Sequence, residues 1–327
     1  MAAVPVNAPV HLEAPKPKRS LLSETTARAA VASATTAILL LALKAIAAWQ
    51  TNSVALLGSL ADSSLDVLAS LVTLYGVRLA ATPADHDHRF GHGKAEALAA
   101  LFQVALVTAS AGAIGWRAIQ SFQREAPVSD PGLGIAVSVV AILATLVLVS
   151  YQRRIIAETG SVAIQADSLH YQGDILLNLS VILALVLERY LALVGADAVF
   201  GIVIALWLGW GAFKASAEAI DQLMDKEWPE DERTRFVEVA IGNPEVRGIH
   251  DFRTRRSGGH AFAQFHMVVA RDMNIAEAHD VVEEVEDALH AAFPRTEVLI
   301  HLDPEGHVDT DNPLVEQDVT PHWFRKR

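Results

Sequence analysis

Two short motifs hold residue types and spacings that could do chemistry: Asp62-Ser-Ser-Leu-Asp66 and His170-Tyr-Gln-Gly-Asp174. On a helix, a four-residue spacing sets both groups on one face, about 6 Å apart along the axis. Three carboxylates and one imidazole make a four-coordinate oxygen and nitrogen donor set for a borderline divalent ion, zinc first, with iron(II), cadmium and manganese as competitors. The chain has no cysteine, which excludes thiolate ligands and argues against copper(I). A second group, Asp85, His88 and His92, could reach one ion from a short turn, and Gly91 and Gly93 allow the bend. A third draws on His250, His266, His279, His301 and Asp303; in an extended strand His301 and Asp303 point to the same face. His11, His290, His307 and His322 are assigned to the surface, while His86 and His260 stay unassigned.

The elements that must position these groups are mostly apolar. The 327 residues are 52% hydrophobic and only 20% charged, with positive mean hydropathy, which fits a membrane portion better than one soluble domain. Six stretches are long enough to cross about 30 Å of hydrocarbon: 29–49, 54–80, 95–122, 133–151, 162–187 and 196–218. Each intramembrane Asp costs about 3 kcal/mol to insert, so the four charged or ionisable groups of spans two and five need partners or a polar cavity. Span two descends and span five ascends, so all four reach similar depth. Basic residues of short loops favour one side, with Arg78, Arg89, Lys94, Arg153 and Arg154 against Arg117, Arg124 and Arg189; both termini are expected in the cytoplasm. Trp49, Trp116 and Trp228 lie near span ends, as interfacial anchors would. Residues 1–25, with four prolines and a basic run, read as a disordered cytoplasmic tail, and 26–225 as the membrane domain.

From 226 the pattern changes to a small α+β domain of αββαβ, ferredoxin-like order over 226–307, with a Gly258-Gly259 hairpin turn and a loose tail at 308–327. Residues 226–327 hold 21 acidic and 12 basic side chains, most of the net charge of −12. Such a surface repels nucleic acid and gathers cations. No Walker loop, H-E-x-x-H or G-x-S-x-G motif occurs, so uphill transport would draw on an ion gradient and no organic cofactor is expected.

These motifs, with Pro83-Ala-Asp85, Phe90-Gly-His92-Gly-Lys94-Ala-Glu96, Gly248-Ile-His250-Asp-Phe-Arg-Thr-Arg and His301-Leu-Asp303-Pro, resemble the cation diffusion facilitator family, most closely its bacterial zinc and ferrous-iron efflux branch, over about residues 35–305. The resemblance implies a homodimer in the cell membrane, the inner one in a Gram-negative source. It implies a transport site of Asp62, Asp66, His170 and Asp174, a loop site of Asp85, His88 and His92, and a binuclear cytoplasmic site of His250, His266, His279, His301 and Asp303. It further implies a charge interlock between Lys94 and Asp225, and a hydrophobic gate at Leu169. Leu302 departs from relatives that carry a polar residue there. The expected activity is export of divalent metal in exchange for protons, with Zn2+ both cargo and regulator. A gated metal channel and a membrane-embedded metalloenzyme are the rival readings.

Overall fold

A computed structural model describes residues 21–51, 54–121, 132–191 and 195–307. Six long helices come first: α1 (Leu21–Thr51), α2 (Val54–Ala80), α3 (Ala95–Ser121), α4 (Gly132–Thr159), α5 (Val162–Leu191) and α6 (Ala196–Leu223). Five of them are long and apolar enough to cross a membrane; α5 has the length, but Asp167, His170 and Asp174 interrupt its apolar run. The helices overrun the expected spans at several ends. α1 starts at Leu21, inside the expected tail, where Glu24 and Arg28 form an i,i+4 pair at 3.8 Å. The rest of that tail, and the expected C-terminal tail, lie outside the described residues.

In hydrocarbon the hydrophobic effect does not drive helices together, so close packing must. Small residues supply it. Ala97, Ala100 and Ala111 of α3 are buried in one cluster with Ala212, Ala215 and Ala219 of α6. A Cβ on Gly76 would stand 2.4 Å from that of Ala99, so α2 and α3 meet at a spot only glycine fits. Lipid-facing positions are bulky instead: Trp49, Trp116, Val147 and Trp210 are all exposed.

The remainder is α7 (Glu230–Ala240), β1 (Gly248–Ser257), β2 (His260–Val269), α8 (Ile275–Ala292) and β3 (Thr296–Pro304). The sheet order is β1-β2-β3, antiparallel across the hairpin and parallel between β2 and β3. Gly258 turns the hairpin with φ +57°. Alternation divides the sheet: Phe265, Met267 and Val269 enter a core with Phe236, Val281 and Leu289 of the two helices, leaving the opposite face to polar residues. Asn274 caps α8 through a capping box with Glu277. Trp228 is buried in this core against Phe236 and Phe293, so it is not an interfacial anchor.

Candidate metal centres

Within the bundle, α2 brings Asp66 to His170 and Asp174 of α5. His170 Nε2 lies 3.0 Å from Asp66 Oδ1 and 3.7 Å from Asp174 Oδ2, and one ligand atom of each residue falls within 4.8 Å of the others. Glycine lets α6 close behind them: a Cβ on Gly173 would meet Leu208 at 2.8 Å, and one on Gly211 would meet Leu169 at 2.7 Å. Leu169 is thus wedged against α6 beside the cluster.

Asp62 stands apart. One turn before Asp66, it is exposed and outside the converging group. Ser63 beside it is buried and accepts a hydrogen bond from Lys44 Nζ of α1 at 2.6 Å. Lys44 was visible as the one basic residue of the first apolar stretch, yet only the fold places it beside the site.

Sequence reasoning also missed Asp167, fully buried one turn from His170 toward the start of α5. Ser33 Oγ donates to its Oδ2 at 2.6 Å, Gln152 Nε2 to the same oxygen at 2.7 Å, and Gln103 Nε2 to Oδ1 at 3.4 Å. Four helices therefore meet on one carboxyl. Glu96 is likewise buried, hydrogen-bonded by Ser161 at the start of α5.

In the loop before α3, Asp85 lies 3.2 Å from His88 Nδ1 and 3.3 Å from His92 Nε2. The backbone N–H of His88 donates to Asp85 Oδ1 at 2.6 Å, with that of Asp87 at 3.0 Å, and these bonds hold the carboxyl below its ordinary range. His92 Nδ1 is buried without a partner. The loop is clamped to the sheet domain. Phe90 packs edge-on to Phe262 at 5.8 Å, and the Arg255 guanidinium lies over both rings at 4.4 and 4.8 Å. Lys94 Nζ meets Asp225 at 3.0 Å, within one chain, and Arg255 reaches the same carboxylate at 3.8 Å.

On the polar face of the sheet, strand register does the assembling: His250 pairs with His266, and His266 with His301. A bulge follows His250, with Asp251 in the left-handed region at φ +53°. Asp303 is buried below the row, its Oδ2 2.7 Å from His266 Nδ1 and 3.2 Å from His250 Nε2, its Oδ1 3.6 Å from His301 Nε2. His250, His266 and Asp303 form a converging ligand set. His279 is not part of it. It lies on α8, which covers the other face of the sheet, and it is exposed 3.9 Å from Glu283. His307, assigned to the surface, comes within 3.9 Å of Asp303 Oδ1, and Asp251 lies 4.0 Å from His266 Nε2.

Long apolar helices with ligand groups turned inward, followed by a sheet domain bearing more such groups, define a multi-pass membrane protein built around cations. The chain belongs to the cation efflux family: residues 30–224 match its transmembrane domain and 228–305 its cytoplasmic domain. It is similar to the cation-efflux pump FieF of Cronobacter sakazakii, 43% identical over 277 residues that make up 85% of this chain and 92% of that one. The FieF pump of Salmonella schwarzengrund is 40% identical over 289 residues, covering 88% and 96%. A solved chain of CzrB in its Zn form is 39% identical, covers 26% of this chain and 98% of that one, and has a TM-score of 0.24. Family membership makes this chain a transporter rather than an enzyme.

Proposed function

We propose that the protein is a proton-coupled antiporter that exports divalent metal cations, zinc first, by alternating access. The observation that carries this reading is the meeting of Asp66, His170 and Asp174 inside the bundle. Such a donor set suits zinc or iron(II), and each of its groups binds either metal or proton, so loading and protonation compete for the same atoms. His170 must be neutral to ligate, and an imidazole's ordinary pKa near 6.5 suits exchange across a physiological gradient. Asp62 is the fourth ligand, joining when α2 turns it inward. Leu169 closes the path on one side of the ion. Both termini lie in the cytoplasm, with the membrane domain over 26–225 and the metal-binding domain over 226–307.

The loop triad of Asp85, His88 and His92 is a second metal site. The nitrogen and oxygen donors on the sheet also fit zinc: His250, His266 and Asp303 hold a first ion, His301 contributes to a second, and His279 completes it if α8 or a second chain brings it near. Metal there supplies a bridge between strands, a sensor of cytoplasmic metal that favours a tighter homodimer, with the Lys94–Asp225 pair locking the membrane boundary.

Zinc uptake into inside-out vesicles under an imposed pH step tests the reading. Wild type should take up zinc with opposite proton movement, and Asp174→Ala should not. Zinc flux without proton movement, saturating far above a carrier's rate, would point to a channel instead.

A further inference from the structure

We infer that Asp167 is a second proton-binding site of the carrier, separate from the metal cluster and caged by neutral side chains that can serve both its charged and its neutral form. The inference rests on the proton-exchange reading above.

The cage is made of Ser33 from α1, Gln103 from α3 and Gln152 from α4, all with 0% exposure, as is Asp167 itself. Among the described residues no Lys, Arg or His lies within ion-pair distance of this carboxyl, although an unpaired charge in so dry a place is costly. Three donors offset part of that cost for the carboxylate. What sets the cage apart is what the donors leave over: Oε1 of Gln103 and Oε1 of Gln152 are both buried with no hydrogen-bond partner. Buried amide oxygens are rarely left so. A protonated carboxyl is a donor, and either glutamine amide, turned over, presents its idle oxygen to that proton. A carboxylate kept only to tie helices together would need the donors alone.

The position fits exchange. Asp167 stands one turn from His170 on the side of the sheet domain, and none of its hydrogen bonds goes to a cluster residue. The titratable groups near it are His170, Tyr171 and Asp174 on α5 and Asp66 on α2. Among the described residues, its hydrogen bonds from α1, α3 and α4 come from the neutral Ser33, Gln103 and Gln152. Tyr171 links onward, its hydroxyl 2.9 Å from Ser70 Oγ of α2 and 3.4 Å from Ser33 Oγ. A divalent ion in the cluster favours the carboxylate one turn away, and its departure favours the acid. Asp167 therefore takes up one proton as metal leaves and releases it as the next ion binds.

The test is zinc transport by the full chain in sealed proteoliposomes carrying a pH-sensitive dye, wild type against Asp167→Asn. The protons moved per zinc should fall by about one, whatever zinc rate remains, because the amide cannot carry the proton. A coupled wild type with the same ratio in Asp167→Asn overturns this inference alone. A wild type that moves zinc without protons overturns the exchange reading and this one with it. Should Asp167→Asn fail to assemble, Ser33→Ala removes one donor to the carboxylate and should shift the pH midpoint of zinc transport up by about one unit; an unmoved midpoint overturns the proposal.

Discussion

The cluster in the bundle and the cluster on the sheet use the same chemistry, imidazole beside carboxylate at about hydrogen-bond distance, but are held in different ways. On the sheet, adjacent strands fix His250, His266 and His301 side by side through backbone hydrogen bonds, and Asp303 is buried beneath them. In the bundle, no backbone hydrogen bond joins α2 to α5, and the groups meet only because side chains pack, with Asp62 left outside. A register cannot slip by one residue without turning every side chain to the other face. Two helices joined only through side-chain contacts have no such ladder to fix their register. The difference matches the proposed roles, one site that keeps its ion and one that must give it up.

The largest effect should come from the bundle. Asp174→Ala or His170→Ala should lower zinc flux in vesicles by at least about 100-fold, since each removes a proposed ligand rather than a neighbour of one. Flux within tenfold of wild type would break the assignment. Asp303→Ala should instead leave flux measurable while the purified protein loses zinc from its sheet domain, with affinity down by at least about 100-fold by calorimetry. If Asp303→Ala abolished transport as fully as Asp174→Ala, the division between a cargo site and a resident site would fall. The combined change His301→Ala with Asp303→Ala should lower the bound metal count further than either alone.

The contrast also explains what could be read from the sequence. The αββαβ order, the hairpin at Gly258 and the shared face of His301 and Asp303 follow from period-two alternation, which is local. The pairing of Asp62 with Asp66, and of His170 with Asp174, is local too, a matter of four-residue spacing. Which of the four converge is not local, and Asp62 shows it: the spacing sets it above Asp66 but says nothing of whether another helix covers it. Asp167, Gln103 and Gln152 were hidden for the same reason, since they come from three helices and only packing joins them. His279 stays apart from the strand histidines within one chain because a helix entrance near the strands in sequence lies on the far face of the sheet. Trp228 misled because an aromatic after a span marks an interface or a new core equally well.

Between the two clusters lies the clamp that would carry any message from one to the other. A Cβ on Gly93 would fall 2.2 Å from Ser257 O, so Gly93→Ala must push the loop off the hairpin. The expected cost is about 1–3 kcal/mol, read as a lower midpoint of thermal unfolding, with zinc binding at the sheet retained. Lys94→Met should cost less, about 0.5 kcal/mol, because both partners of its ion pair are more than one-third exposed. Were Lys94→Met the more damaging of the two, backbone contact would not be what joins the domains.

The smallest effect concerns the loop itself, and its sign is fixed. Hydrogen bonds from the backbone of His88 and Asp87 favour the charged form of Asp85, so its carboxyl sits below its ordinary value in the folded loop. A group lowered on folding adds stability above its unfolded pKa and loses it as pH falls through the folded one. The His88 amide should therefore be protected from hydrogen exchange at neutral pH, after correction for the intrinsic rate, and lose that protection as acid is added below the ordinary carboxylate range. Asp85→Asn keeps an acceptor oxygen and has no proton to gain, so its protection should be weaker at neutral pH and flat through the same titration. A wild-type profile equally flat would mean that the loop is ordered by its clamp at Phe90 and Gly93, and that Asp85 only awaits a metal there.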